Sequence, residues 1–149
     1  MQLKRNLFLF GLFACLNLHA QQKGYYRAPA ISQNTVVFVA ESDLWKYDLA
    51  TGNSSRITTN GGVETNPVIS ADGKKLAFIG QYEGPSEIYI MDLNGGVPRR
   101  LTYDFGRGIQ LSGFTKDGKI LYRTSIYSGL PSNQLAVLDP ATYHSELVP

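Results

Sequence analysis

Residues 66–102 read NPVISADGKKLAFIGQYEGPSEIYIMDLNGGVPRRLT and consist of short apolar runs separated by turn sequences. Each run is too short for a typical helix and is rich in Ile, Leu, Val, Phe and Tyr, which favours strands. Asp72-Gly73 and Gly95-Gly96 are typical of hairpin turns, because tight turns need residues that tolerate positive φ. With a first strand through residues 68–69, the stretch predicts a four-stranded antiparallel meander.

The same pattern occurs on both sides of this stretch. The spacing is 44 residues from Asp48 to Asp92 and 47 residues from Asp92 to Asp139. Four strands repeated at about 40 to 50 residues are typical of β-propeller blades. The matching segments are residues 28–32, 36–40, 43–49 and 56–58 upstream, and residues 113–122 and 134–140 downstream.

The repeat predicts an all-β fold, a partial β-propeller of three four-stranded antiparallel blades. We place the blades at about residues 25–60, 64–105 and 109–149 of a domain that covers 21–149. Three blades do not close a ring of the usual four to eight. Either the chain is the N-terminal piece of a longer propeller, which we expect, or several chains complete the ring together.

Residues 1–20 have the pattern of a secretory signal peptide. Lys4 and Arg5 precede an apolar run over residues 7–16, and Ala20 is a small residue suited to cleavage. The apolar run is too short for a membrane span. We therefore expect export to the periplasm or the medium. The alternative is lipidation at Cys15, because residues 12–15 loosely match a lipoprotein cleavage box.

Charge and cysteine content exclude several classes of function. The chain has 14 Lys and Arg against 12 Asp and Glu, and two of the basic residues are Lys4 and Arg5. The exported part is therefore close to neutral, which gives no electrostatic basis for binding nucleic acid or an anionic membrane surface. The single cysteine, Cys15, lies in the predicted leader, so we expect no disulfide and no thiol site after export.

The ordered motifs of the chain resemble the N-terminal propeller of tricorn-type proteases. The Asp72-Gly73-Lys74 motif alone is shared with TolB-like and prolyl-oligopeptidase-type propellers, but the combination is more specific. The stretches that carry the resemblance are 24–31 (GYYRAPAI), 37–39 with 43–45 (VFV, DLW), 70–74 (SADGK), 83–89 (EGPSEIY) and 98–103 (PRRLTY).

The resemblance implies a large multidomain serine peptidase of the tail-specific class. In that family a six-bladed propeller precedes a seven-bladed one and a PDZ-containing peptidase region. The catalytic Ser and His belong to that C-terminal region, and no position here matches them. The implied partners are peptides or unfolded protein, the peptidase domains of the same full-length chain, and further copies in a homo-oligomer. No cofactor is implied, and the implied role is to gate or channel peptides.

Residues that could carry chemistry have simpler structural explanations. His144 is the only histidine after the leader, with Asp139 nearby, but no nucleophile elbow is present, so we interpret it as a solvated turn residue. Asp48, Asp92 and Asp139 recur once per blade. They could ring a channel as metal ligands, but one acid per blade beside a turn favours turn capping.

Aromatic and basic residues leave the same choice. Trp45, Tyr47, Phe78 and Tyr89 could stack a ligand, although alternating aromatics on strands favour packing between blades. Arg99-Arg100 could hold an acidic partner, but we interpret the pair as a solvated outer strand. We therefore assign no catalytic, cofactor or metal residue.

Loops 81–86 and 125–133 vary in length while the strands keep their pattern, and they are the best candidates for binding. Two functions remain open: the non-catalytic propeller of an exported tricorn-like protease, or a TolB-like periplasmic propeller that acts as a protein-binding module.

Overall fold

The computed structural model describes residues 24–104, 108–129 and 132–149. In this part of the chain there are twelve strands and no helix, arranged in three antiparallel sheets of four. The predicted leader, residues 1–20, lies outside the described residues. The strands are β1 (Arg27–Ser32), β2 (Thr35–Ala40), β3 (Asp43–Asp48), β4 (Ser54–Arg56), β5 (Glu64–Ile69), β6 (Lys75–Gly80), β7 (Glu87–Asp92), β8 (Arg99–Arg100), β9 (Gln110–Phe114), β10 (Ile120–Thr124), β11 (Gln134–Leu138) and β12 (Ser145–Leu147).

Each sheet follows the chain order, β1-β2-β3-β4, β5-β6-β7-β8 and β9-β10-β11-β12, as in a meander. The predicted all-β class and the three four-stranded blades are therefore confirmed. We call these sheets blades one, two and three.

Turn residues place the hairpins where the sequence predicts them. At the β5–β6 turn the Asp72 carboxylate accepts hydrogen bonds from the Ser70 hydroxyl (2.6 Å) and the Lys74 amide (3.0 Å), and Gly73 takes φ +70°. Thr115 donates to Asp117 in the same way at the β9–β10 turn (2.6 Å). A side chain that bonds to its own turn holds the chain reversal without help from the core.

The two faces of blade two explain how the blades stack. Successive side chains of a strand point to opposite faces, so β6 and β7 supply apolar residues in both directions. One face packs on blade one, through Val37, Val39, Leu44, Leu76, Phe78, Tyr89, Met91 and Leu93. The other packs on blade three, through Ala77, Ile79, Ile88, Ile90, Leu101, Leu111, Ile120, Tyr122, Ala136 and Leu138.

The outer faces of blades one and three have no neighbouring sheet in the described part of the chain. On blade one, Phe38 pairs across the ladder with Trp45 and Val36 with Tyr47, and all four side chains are only partly buried. The Trp45 indole N–H is enclosed and finds no hydrogen-bond partner among the described residues. On blade three the corresponding face carries Leu121, Leu135 and Val137.

A backbone irregularity recurs in the first strand of each blade. The register shifts between Arg27 and Ala30, between Thr65 and Val68, and opposite the β10 residues 121–122. At the second of these bulges Asn66 adopts φ +50°, and its Oδ1 accepts a hydrogen bond from the Leu111 amide of blade three (2.6 Å). The bulge therefore also joins two blades.

Candidate functional site

The loops that join β2 to β3, β6 to β7 and β10 to β11 lie at one end of the blades, together with the links between blades. This follows from the antiparallel order, because every second connection of a meander falls at the same end. We call it the loop end and the opposite one the turn end. Both predicted binding loops, 81–86 and 125–133, belong to the loop end; the structure describes the second except for residues 130–131.

An acid, an arginine and a threonine recur at the loop end of blades one and two. In blade one Arg56 contacts the Asp43 carboxylate (2.7 Å), and its Nε donates to the Thr58 carbonyl (2.9 Å). The Thr58 hydroxyl accepts a hydrogen bond from the Leu44 amide (2.8 Å). This side-chain bond extends the pairing of β3 with the chain that follows β4.

Blade two repeats this arrangement 44 residues later. Arg100 contacts Glu87 (3.1 Å) and donates through Nε to the Thr102 carbonyl (2.8 Å), and the Thr102 hydroxyl accepts from the Ile88 amide (2.9 Å). The Arg-x-Thr spacing in the sequence was the signal for this network.

The interpretation of Arg99-Arg100 as a solvated outer strand is wrong for Arg100. Its side chain is 16% exposed, it bridges Glu83 (2.8 Å) and Glu87, and its guanidinium lies 4.2 Å from the Tyr103 ring centroid. Arg99 is exposed, but it is also bonded, since it donates to the Pro140 carbonyl of blade three (2.9 Å).

Glu64 is a fully buried carboxylate that links blade two to blade one, and the sequence reasoning missed it. Its Oε2 accepts from the Leu44 amide (2.9 Å) and from the Thr58 hydroxyl, and its Oε1 accepts from the Tyr82 hydroxyl. Burial raises the pKa of Glu64, while these three hydrogen bonds oppose the rise. Burial and the bond to Glu64 in turn raise the pKa of Tyr82. The polar partners described for this carboxylate all belong to the chain itself.

Glu87 is also fully buried, and the contacts described for it lie within its own blade. It accepts from the Thr102 hydroxyl (2.5 Å) and the Asp104 amide (3.1 Å) in addition to Arg100. Glu87 is one methylene longer than its counterpart Asp43 and reaches the threonine itself. In blade one the threonine is instead reached by Glu64, six residues after Thr58.

The residues weighed for catalysis do not form a triad. His144 is exposed in the β11–β12 turn at the turn end. Asp139 is joined to it through the backbone, because the Asp139 amide donates to the His144 carbonyl (2.9 Å). The Asp139 carboxylate accepts from the Ala141 amide (2.8 Å), and this bonding lowers its pKa.

The three aspartates that recur at blade period have different partners. Asp48 Oδ1 accepts from the Ala50 and Thr51 amides (2.8 and 3.0 Å), so Asp48 caps its turn as Asp139 does. Asp92 instead pairs with Lys75 (2.6 Å). Within residues 24–104, 108–129 and 132–149 no three His, Cys, Asp or Glu side chains form a group that could hold a metal ion.

The four candidate aromatic residues divide between two faces. Phe78 and Tyr89 stack with ring centroids 5.9 Å apart, Tyr82 meets Tyr89 edge-on at 4.7 Å, and all three lie between blades one and two. The packing interpretation is confirmed for Phe78 and Tyr89. Trp45 and Tyr47 point away from blade two and line the outer face of blade one.

Several large side chains are exposed at the loop end in the described part of the chain. Glu83 extends from loop 81–86, while Tyr103 follows β8 and is 65% exposed. Tyr127 extends from loop 125–133 and is 45% exposed. At the same surface Gln81 donates to the Ser86 hydroxyl (2.8 Å), which closes the base of loop 81–86.

A cleft of about 770 Å³ opens at the turn end between blades two and three. At the equivalent junction of blades one and two, Leu93 follows Asp92 and is buried. In blade three Pro140 follows Asp139 and lines the cleft. Lys75, Arg99 and Lys116 offset Asp72, Asp92 and Asp117 along its walls, so the cleft has no strong net charge.

Three four-stranded meanders stacked face to face define part of a β-propeller. The chain belongs to the tricorn protease N-terminal beta propeller domain family, whose pattern matches residues 23–149. The predicted resemblance is confirmed.

In the described part of the chain, no helix has the length and apolar character needed to cross a membrane.

Two curated relatives illustrate the match. Over 113 residues the chain is 32% identical to the "Putative Tricorn-like protease N-terminal subunit" of Sulfurisphaera tokodaii, and the match takes in 73% of this chain and 57% of that protein. Over 108 residues it is 31% identical to the "Tricorn protease" of Thermoplasma volcanium, taking in 66% of this chain and 10% of that protein. The chain therefore spans only part of the relatives it matches.

Two solved structures show the same fold. The crystal structure of the tricorn protease superposes with a TM-score of 0.70 and 27% identity, over 78% of this chain and 12% of that one. TolB from Acinetobacter baumannii superposes with a TM-score of 0.69 and 25% identity, over 83% of this chain and 32% of that one.

Proposed function

We propose that this chain is the non-catalytic propeller portion of an exported tricorn-like serine protease, and that it gates or channels peptides towards a peptidase region of the same protein. The observation that carries the proposal is the family match over residues 23–149, combined with relatives named as tricorn proteases of which the match occupies about a tenth.

The contacts at the loop end support a scaffolding and binding role. The buried acids Glu64 and Glu87 accept several hydrogen bonds each from the chain's own groups. The hydrogen bonds that these carboxylates accept hold strands and blades together. Among the described residues, exposed side chains at this end that could contact a peptide include Glu83, Tyr103 and Tyr127. Loops on a rigid sheet scaffold commonly carry binding in this way.

The test uses the full-length product of the natural reading frame, which should contain a serine peptidase region. We would compare hydrolysis of a long peptide and a short chromogenic peptide by the wild type and by the loop-end variants Glu83→Lys and Tyr127→Ala. Lys116→Ala, at an exposed residue of the turn end, is the matched control.

Gating predicts that the loop-end variants change kcat/KM for the long peptide and leave the short one unaffected. Equal effects on both peptides, or none on either, would contradict gating. Absence of any peptidase region from the complete gene product would remove the proposal altogether.

Export is part of the proposal and has its own test. Residues 1–20 have the sequence pattern of a leader. N-terminal sequencing of the protein purified from its native host should begin at Gln21. A mature protein that retains Met1, or one that begins at Cys15 with a lipid attached, would contradict the proposed processing.

A protein-binding module is the second candidate. It is favoured by the likeness to TolB from Acinetobacter baumannii and by 34% identity over 65 residues to the "Tol-Pal system protein TolB" of Wolinella succinogenes. This alternative predicts that the complete gene adds only a short domain beside one propeller. It also predicts a stable envelope partner whose binding depends on Glu83 or Tyr127.

A further inference from the structure

We propose that Asn94-Gly95, in the loop between β7 and β8, is a site of spontaneous covalent modification in which the Asn94 side-chain amide becomes a carboxylate with the help of Lys46. The side-chain carbonyl of an asparagine can be attacked by the backbone nitrogen of the next residue. Glycine leaves that nitrogen unhindered, and a Cβ built at Gly95 would meet no atom within 4 Å. Asn94 is exposed, so water reaches the amide.

The reaction balances with water as its only co-reactant. The Gly95 nitrogen gives its proton to solvent and forms a bond to Asn94 Cγ. The Cγ–Nδ2 bond then breaks, and ammonia leaves with a proton taken from solvent, which closes a five-membered imide. Water opens the imide at Cγ to give aspartate, or at the Asn94 backbone carbonyl to give isoaspartate. No group is oxidised or reduced.

Lys46 lies where it can assist the first step. Its Nζ, on β3 of blade one, donates a hydrogen bond to Asn94 Oδ1 (3.2 Å). Negative charge develops on this oxygen when the Gly95 nitrogen attacks, and a donor placed there beforehand stabilises it. The site is exposed, so the stabilisation is the modest one that a single ammonium group provides in a medium of high dielectric constant.

The turn itself opposes the reaction. The Gly95 amide donates to the Asp92 carbonyl (3.0 Å), and this bond must open before the nitrogen can attack. Gly95 and Gly96 have φ of +105° and +137°, so the following backbone is not held by side-chain sterics. Local opening of this loop is therefore a fast equilibrium that precedes the attack, and the attack that Lys46 assists remains the slow step.

The product would alter the junction of blades one and two. An aspartate at position 94 would turn the neutral acceptor of Lys46 into an ion-pair partner. An isoaspartate would add a methylene to the backbone between β7 and β8. Both changes fall at the turn end, away from the loops proposed to bind peptides.

The chain offers an internal control, because Asn60-Gly61 has the same dipeptide in the link between blades one and two. Among the described residues no hydrogen bond from a lysine or arginine reaches Asn60, in contrast to the bond from Lys46 to Asn94. The full-length protein would be aged at mildly alkaline pH and digested. Mass spectrometry would then follow amide-to-acid conversion at both sites, beside an unstructured peptide covering residues 90–98.

The expected result is accumulation of Asp and isoAsp at position 94. We expect Lys46→Met to slow this conversion by about fivefold, the value of one exposed ion at contact distance. Lys46→Arg should keep most of the rate, and neither variant should change conversion at Asn60. The proposal is overturned if no conversion is detected at position 94 after ageing for many half-lives of the unstructured peptide. It is equally overturned if Lys46→Met leaves the rate at position 94 unchanged.

Discussion

Replacement of Glu64 by alanine should open the junction between blades one and two locally. The substitution leaves the buried Thr58 hydroxyl and the half-buried Tyr82 hydroxyl without their acceptor. A buried polar group that loses its partner costs about 1–3 kcal/mol. Leu44 N keeps its bond to Thr58 Oγ1, so it adds little. The cost at Tyr82 is smaller than at Thr58, because water can reach the Tyr82 hydroxyl and replace part of its lost bond. We therefore expect the free energy of local opening to fall by about 2–4 kcal/mol.

Hydrogen exchange of the full-length protein measures this loss at the right place. A local opening free energy lowered by 2–4 kcal/mol speeds exchange about 30-fold to 1,000-fold in peptides that cover β3. Glu64→Gln is the matched control. Its side-chain oxygen can still accept from Leu44 and Thr58, and its amide can donate to the Tyr82 oxygen, so we expect a much smaller increase.

The pH dependence provides an independent check with a definite sign. The folded pKa of Glu64 is raised above its ordinary value of 4.5, chiefly by burial, with Asp43 adding to the rise. The stability contributed by the protonated carboxyl is therefore present below pH 4.5 and is lost as pH rises through the folded pKa. The local opening free energy at this junction should therefore change with pH in the wild type, once exchange rates are corrected for the pH dependence of intrinsic amide exchange. Glu64→Gln should remove the part of this pH dependence that comes from Glu64.

Two results would refute this reasoning about Glu64. The first is unchanged exchange in β3 of the Glu64→Ala variant. The second is the same pH slope in Glu64→Gln as in the wild type.

Four further predictions follow from other contacts. Phe78→Ala removes a fully buried ring between blades one and two, and should lower the free energy of unfolding by about 3–5 kcal/mol in calorimetry of the full-length protein, whereas Lys116→Ala should not. Asn66→Gly keeps the positive φ but loses the bond to Leu111, at about 1 kcal/mol, and Asn66→Ala should cost about 1 kcal/mol more in the same measurement; equal losses would contradict the role of φ. Arg100→Lys should speed exchange in β7 about tenfold, because lysine cannot bridge two carboxylates and stack on Tyr103 together; an unchanged rate would count against this. Residues 21–149 alone should self-associate in light scattering through their two open faces, and a sharp monomer with cooperative unfolding would contradict that.

The strands and the repeat were predictable because they depend on short-range patterns. Turn residues such as Asp72-Gly73 and alternating apolar residues act within a few positions of each other, and the spacing of 44 residues is visible by comparison along the chain. The family resemblance rests on the same ordered motifs. The packing of Phe78 and Tyr89 also followed, because a strand with apolar residues in both directions needs two neighbours.

The polar network at the loop end was not predictable from the same patterns. Thr58 and Glu64 are only six residues apart, but whether their side chains meet depends on how the link between β4 and β5 folds, which no pattern of strand residues encodes. Asp43 and Glu87 occupy matching positions and look interchangeable, yet one methylene decides which of them can reach its threonine. Arg100 was misread because a charged residue on a short edge strand is usually solvated.

Matching positions of the repeat therefore do not make matching junctions. Blades one and two are joined through Glu64 at the loop end, by an aromatic cluster and by the bond from Lys46 to Asn94. Blades two and three are joined through a mostly aliphatic cluster that also contains Tyr122, and through the bonds from Leu111 to Asn66 and from Arg99 to Pro140, with a cleft at the turn end. A propeller that opens to admit a peptide should separate first where fewer buried polar contacts cross the junction. On the described contacts that seam lies between blades two and three, so hydrogen exchange of the wild type should be faster in β9 and β10 than in β3.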